Sequence, residues 1–189
     1  MAQFEIALKK TLSWEGGYSN NPLDKGGETY CGISRKAWPL WSGWAVIDGA
    51  IENGVDVKTY AHQNALFMGV HVAPFYLDNF WQPIRAAEIE SQEIANYLFD
   101  FAVNSGIDDA VKALQWAINK VTMEGLKVDG VLGAKTLAAI PPHSIHEFSQ
   151  SDVIRAEMKA YRLHHILKNV ASGNIHLSFA KGLGERALA

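Results

Sequence analysis

Glu15, Asp24 and Thr29 stand within fifteen positions of one another, separated by two glycine pairs, Gly16-Gly17 and Gly26-Gly27. Two carboxyl groups and a hydroxyl gathered on one concave surface can cleave a glycosidic bond. One acid protonates the leaving oxygen, and the other groups stabilise an oxocarbenium-like state or position water. A glutamate at the end of a helix has a plainer use, as a cap or an ion-pair partner, and spacing alone does not choose between the two.

These residues must be positioned by what surrounds them. Phe4, Ala7, Leu8 and Leu12 recur at helical spacing, which predicts a helix from about residue 3 to 14 with one apolar stripe. If that helix reaches Glu15, the carboxylate falls about 20° from Phe4 around the axis and continues the stripe. A carboxylate facing a partly dry cleft is harder to ionise, so its pKa is expected to rise, as suits a general acid near neutral pH. Gly16 and Gly17 are then expected to turn the chain and keep bulk away from the acid. Residues 15–34 also hold Pro22, Gly26, Gly27 and Gly32, the composition of a loop or a small irregular hairpin.

Most of the rest of the chain reads as helices, while the segment 39–57, with Pro39 and Gly at 43, 49 and 54, is mixed. A pattern from about Lys58 to Phe80 contains Pro74, which should kink or divide it. The segment SQEIANYLFDFAVNSG places Ile94, Tyr97, Leu98 and Phe101 on one face and stops at Gly106, a natural C-terminal cap. Asp108 and Asp109 suit the start of the next helix, and Ser149-Gln-Ser-Asp152 has capping-box spacing before a long one. Period-2 alternation is scarce, so the fold is expected to be mainly α. A soft boundary is placed near Gly106.

Composition narrows the function. The 189 residues are 48% hydrophobic and 20% charged, with six Trp, eight Phe and six Tyr, as in an ordinary globular protein. A net charge of -3 provides no basic field for nucleic acid, so no nucleic-acid partner is expected. Cys31 is the one cysteine and makes no internal disulfide; without a nearby His it reads as a small buried residue rather than a nucleophile. His62, His71, His143, His146, His164 and His165 form neither H-E-x-x-H nor a paired Cys-His spacing, so neither a metal nor a cofactor is expected. The N-terminus, MAQFEIALKKTL, lacks signal-peptide organisation, and no run approaches the length of a membrane span. Synthesis in the cytoplasm and no membrane insertion are the expectations.

The stretch EGGYSNNPLDKGGETYCGIS, residues 15–34, resembles the signature of the glycoside hydrolase family 108 muramidases, bacterial and phage enzymes that degrade peptidoglycan. Its Glu, Asp, Thr order is also similar to that of phage-type lysozymes, with the spacing before Thr differing by one. LFDFAVNSG, residues 98–106, looks like the family's second signature. ALQWAIN and VDGVLGAKTLAAI, within residues 113–140, and FAKGLGER, residues 179–186, resemble the helical peptidoglycan-binding region that usually follows, although Leu183 stands where the family commonly has Trp.

The resemblance implies a lysozyme-like α+β fold, mainly α, with a small irregular hairpin after the first helix and a helical C-terminal part. It implies a catalytic region over residues 1–106 and a peptidoglycan-binding-like region over 107–189, packed against the first. Glu15 matches the family's catalytic glutamate, and on this reading it protonates the oxygen between N-acetylmuramic acid and N-acetylglucosamine. Asp24 would stay ionised and Thr29 would orient water; each is equally an ordinary turn or strand residue. Tyr18 and Tyr30 would stack on sugars, or belong to the core. Asn104 would bond an N-acetyl group, or merely end its helix, and Asp100 is expected to brace the loop rather than react. The expected partner is bacterial peptidoglycan, met by a monomer after holin-assisted or other export. Two alternatives stand beside hydrolysis: lytic transglycosylase chemistry, and a non-catalytic wall-binding or secretion-assisting module.

Overall fold

The structure, a computed structural model, describes residues 1–20, 27–58, 60, 64–142, 149–175 and 177–189. Asp24 lies outside the described residues, as do His62, His143 and His146.

Helix α1 spans Phe4–Leu12, with Glu5 in its first turn and Lys9 and Lys10 in its last, each placed to suit the helix dipole. It is shorter than its apolar pattern. Trp14 N–H donates to Thr11 O at 3.1 Å and Glu15 N–H to Leu12 O at 3.2 Å, so the chain tightens into i→i+3 turns after Leu12. Glu15 therefore sits just past the helix and is aimed by a turn rather than by the stripe.

Three short strands follow: β1 Tyr18–Asn20, β2 Glu28–Tyr30 and β3 Ile33–Ser34, all antiparallel in the order β1-β2-β3. Tyr18 pairs with Tyr30, Ser19 with Thr29 and Asn20 with Glu28; on the other edge Thr29 pairs with Ser34 and Tyr30 with Ile33. Alternation then puts Tyr18, Tyr30 and Ile33 on one face and a row of hydroxyl residues, Ser19, Thr29 and Ser34, on the other.

Helix α2 spans Gly43–Glu52. A helical run, α3, occupies residues 65–81 as an α turn Ala65–Phe67, a π segment Met68–Val72, an α turn Ala73–Tyr76 and a second π segment Leu77–Trp81. Pro74 does not divide the run. Its missing N–H and bulky ring are accommodated in the short α turn that two wider π segments flank.

The further α-helices among the described residues are α4 Gln92–Ser105, α5 Ile107–Thr122, α6 Ala134–Ala138, α7 Gln150–Ala171 and α8 Leu177–Leu188. Ser91 caps α4 by accepting from Ile94 N–H, and Ser149 caps α7 by accepting from Asp152 N–H while its hydroxyl donates to Asp152 at 2.8 Å. Every residue from Ile94 to Ala102 is buried, so α4 is covered all round. The mainly α architecture with one small sheet is the one expected from the sequence.

The chain forms two compact units, Leu8–Asn79 and Met1–Ala7 with Phe80–Ala189. In the larger unit Phe4, Trp81 and Phe99 make an aromatic cluster with centroids 5.6 to 6.0 Å apart. Gly106, with φ of 96°, joins α4 to α5 inside that unit, where the two helices pack together. Buried Gln115 organises the turn before α6: its Oε1 accepts from Asp129 and Gly130 N–H, and its Nε2 donates to Asp129 Oδ1 and Val131 O, each at 3.0 Å. This accounts physically for the VDGVLG stretch.

Candidate active site

The site in the smaller unit is built on the two-residue connection between β2 and β3. Cys31 and Gly32 both have positive φ, 48° and 78°, as a type I′ hairpin turn requires. Glycine suits this conformation and cysteine does not, so the turn is held from outside. Cys31 N–H donates to Gly17 O at 3.1 Å, and the buried Tyr76 hydroxyl donates to Cys31 O at 2.6 Å. Tyr76 reaches the turn from the α turn of α3.

Half-buried Glu15 brings its carboxylate to the same turn. A β-carbon placed on Gly32 would stand 2.6 Å from Glu15 Oε2 and 2.8 Å from the Tyr76 hydroxyl oxygen. Gly32 therefore clears space for the acid. Gly17 has a further part of its own, since a β-carbon on it would strike the Lys58 carbonyl oxygen. It permits a close backbone crossing. The Cys31 thiol is pushed up to about 12, first by burial and then by the Glu15 charge beside it. It is an inert thiol, in line with its reading as a small buried residue.

Thr29 lies at the centre of the hydroxyl row, paired with Ser19 and Ser34, and is half-buried. Tyr18 is half-buried; its hydroxyl donates to Glu28 Oε1 at 3.1 Å and accepts from Asn20 Nδ2 at 3.4 Å. Burial is the largest influence raising its pKa. Tyr30 is fully buried, packed against Phe67 and Tyr18 at centroid distances of 5.5 and 6.3 Å. It is a core residue that supports the sheet, and offers no ring face for a sugar. Asn104 lies in the last turn of α4, in the larger unit, where Ser105 Oγ donates to its Oδ1 at 3.1 Å.

A third carboxylate in the same stretch, Glu28, is already engaged. It pairs with the Arg35 guanidinium, which also reaches Asp48 at 2.5 Å and lies over the Trp44 ring at 4.3 Å. These carboxylates hold the Arg35 pKa above its ordinary value, hydrogen bonding to Asp48 being the main cause. Glu28 thus anchors β2 to α2, and Glu15 differs from it in resting on a glycine turn. Sequence reasoning missed Tyr76, Gly32 and the Arg35 pair. The two-residue span between Tyr30 and Ile33 with Gly at its second position was a readable turn signal; Tyr76 left none, because only the fold brings it to Cys31.

Asp100, the other acidic residue singled out by sequence, is bound to Arg162 Nη1 and Arg186 Nη2, each at 2.9 Å. It braces helices α7 and α8 rather than the loop.

Comparison with known proteins bears on this arrangement. Among solved structures the chain is similar to one titled "Structure of Brucella abortus SagA", with 28% identity, a TM-score of 0.59 and coverage of 98% of this chain and 93% of that one. No curated protein sequence matches it. The family model Glycosyl hydrolase 108 matches residues 8–106, a span that takes in Glu15, the sheet, the Cys31-Gly32 turn and Tyr76. That span is more than half of the chain, and the chain therefore belongs to glycosyl hydrolase family 108.

Proposed function

We propose that the protein is an N-acetylmuramidase, hydrolysing the β-1,4 bond between N-acetylmuramic acid and N-acetylglucosamine with Glu15 as general acid. The observation that carries this reading is the seat of the Glu15 carboxylate against the Cys31-Gly32 turn, within the span that matches the glycosyl hydrolase family. Membership of a glycosyl hydrolase family supports hydrolysis of a peptidoglycan glycan as the reaction class.

On this reading Glu15 donates its proton to the glycosidic oxygen, and positive charge develops on the sugar left behind. Asp24 is the proposed second carboxylate, meeting that charge or activating water, and Thr29 positions the water from its row of hydroxyls. Tyr18 contacts substrate from the sheet and Asn104 bonds an N-acetyl group. Residues 107–189 are assigned to wall binding. The reading suits a phage or prophage lysis enzyme that is released to the wall by a holin or another export route.

Mass spectrometry of digested peptidoglycan tests it, using wild type and Glu15→Gln with and without EDTA. Wild type should release muropeptides with reducing N-acetylmuramic acid, unaffected by chelator. Glu15→Gln should lose about 10²- to 10⁴-fold in rate with its circular dichroism unchanged. Anhydromuramic products would reassign the reaction to a transglycosylase, chelator-sensitive free stem peptides would indicate an amidase, and wild-type turnover by Glu15→Gln would remove Glu15 from the mechanism.

A further inference from the structure

A groove of about 580 Å³ in the smaller unit lies between the segment 37–42 and one face of α3. Its lining positions on α3, at 70, 71, 74, 75, 78 and 79, follow helical spacing. Trp38 and Trp41 supply the opposing aromatic surface. Trp38 stands perpendicular to Phe75 at 4.9 Å and is 38% exposed, so part of its ring is open to a ligand.

The groove is braced. Trp41 Nε1–H donates to His71 O at 3.0 Å, Trp44 Nε1–H donates to Trp38 O at 2.8 Å, and Ser42 Oγ is hydrogen-bonded to His71 Nδ1 at 2.9 Å. The Trp41 indole and the Trp38 backbone are held before any ligand arrives, which lowers the ordering cost of binding. The surface is also mixed in character: Ser42, His71, Asp78 and Asn79 line it together with the tryptophans.

This pairing of fixed indoles with hydroxyl, imidazole, carboxylate and amide groups matches one ligand class. A pyranose presents an apolar C–H face to an aromatic ring and a rim of hydroxyl and acetamido groups to polar side chains. An acyl chain would use the aromatic wall but not the polar rim, and an anionic ligand would meet Asp78. The groove and the proposed acid share helix α3 as a support. Phe75 lines the groove, and the next residue, Tyr76, bonds the Cys31 carbonyl beside Glu15.

We propose that the Trp38–Trp41 groove is a saccharide subsite that holds an N-acetylated sugar of a β-1,4-linked glycan away from the bond being cut. The inference rests on the muramidase reading for its choice of glycan, and its test is separable from that reading. The probe is β-1,4-linked N-acetylglucosamine tetramer, titrated into the Glu15→Gln protein and followed by the NMR indole N–H signals. Those of Trp38 and Trp41, assigned by their loss in Trp38→Leu and Trp41→Phe, should shift saturably, and Trp38→Leu should weaken apparent affinity about tenfold or more. Asp78→Asn, which keeps the aromatic wall intact, should also weaken binding and serves in place of Trp38→Leu should that variant not fold.

Saccharide binding that leaves both indole signals unmoved, or retains wild-type affinity in the groove variant, overturns the proposal. So does a response of these signals to phosphatidylglycerol vesicles and not to saccharide. Turnover by Glu15→Gln with a responsive groove would sink the acid assignment and leave the subsite standing. An inactive Glu15→Gln with a silent groove would do the reverse.

Discussion

Glu15 and Tyr76 meet over Gly32. A β-carbon on that residue would be 2.6 Å from the carboxylate and 2.8 Å from the phenol oxygen, so the arrangement would have to shift if residue 32 had a side chain. The position of the proposed acid thus depends on a glycine seventeen residues further along the chain and on a tyrosine from another element.

Gly32→Ala is accordingly expected to damage activity more than stability. Its φ of 78° costs an alanine about 1–2 kcal/mol, and the new methyl must displace the carboxylate or the phenol. Urea denaturation should show a loss of about 1–3 kcal/mol. Wall-clearing rate should fall by about a hundredfold or more, with helix content by circular dichroism retained.

Tyr76→Phe removes the donor that holds the Cys31 carbonyl while keeping the ring that fills the core. A buried carbonyl left without its partner costs about 1–3 kcal/mol. If Tyr76 acts by positioning the turn beneath Glu15, kcat should fall with little change in KM, because the sugar-binding surface is untouched. Equal preservation of kcat and KM, with only stability reduced, would make the hydroxyl purely structural.

Cys31 gives a pH signature. Burial and the neighbouring Glu15 push its thiol up to about 12 from an ordinary value of 9.0, so the folded state favours the protonated form. That preference contributes fully below the unfolded pKa and is lost as pH rises from about 9 towards 12, since the unfolded chain releases the proton first. Wild-type stability should therefore fall with pH above about 9 more steeply than that of Cys31→Ala, by up to about 1.4 kcal/mol per pH unit. Equal slopes would refute it. Native protein at pH 8 should also resist iodoacetamide until denaturant is added.

How legible all this was in the sequence differs between residues. The helices with strong periodicity and side-chain caps, α4 after Ser91 and α7 after Ser149, follow local rules that a linear reading captures. Glu15 could be singled out because it adjoins a glycine-rich break, yet its aim came from i→i+3 turns that apolar periodicity does not encode. Tyr18 and Tyr30 looked alike as polar-tipped aromatics. Cross-strand pairing buried one completely and left the other half-exposed, a distinction set by Phe67 packing from α3. Tyr76, Asp78 and His71 acquire meaning only when α3 is laid beside the sheet and the 37–42 segment. Contacts of high sequence separation carry the site, and no local pattern announces them.

The same holds for Asp100, whose neighbours in LFDFAV are apolar while its partners lie 62 and 86 positions away. Arg162 and Arg186 both bind its carboxylate at 2.9 Å, and the Arg162 guanidinium also lies 4.9 Å from the Phe101 ring centroid. All three ionic residues are buried, and one carboxylate serves two guanidinium groups held out of water. Asp100→Ala should cost about 3–5 kcal/mol in urea denaturation, because it removes the carboxylate that two buried guanidinium groups share. Replacing the trio together, as Asp100→Leu with Arg162→Met and Arg186→Leu, should recover most of that loss by removing both buried positive charges along with the carboxylate. If Asp100→Ala and the triple variant are equally destabilised, the cluster contributes through packing rather than through charge pairing.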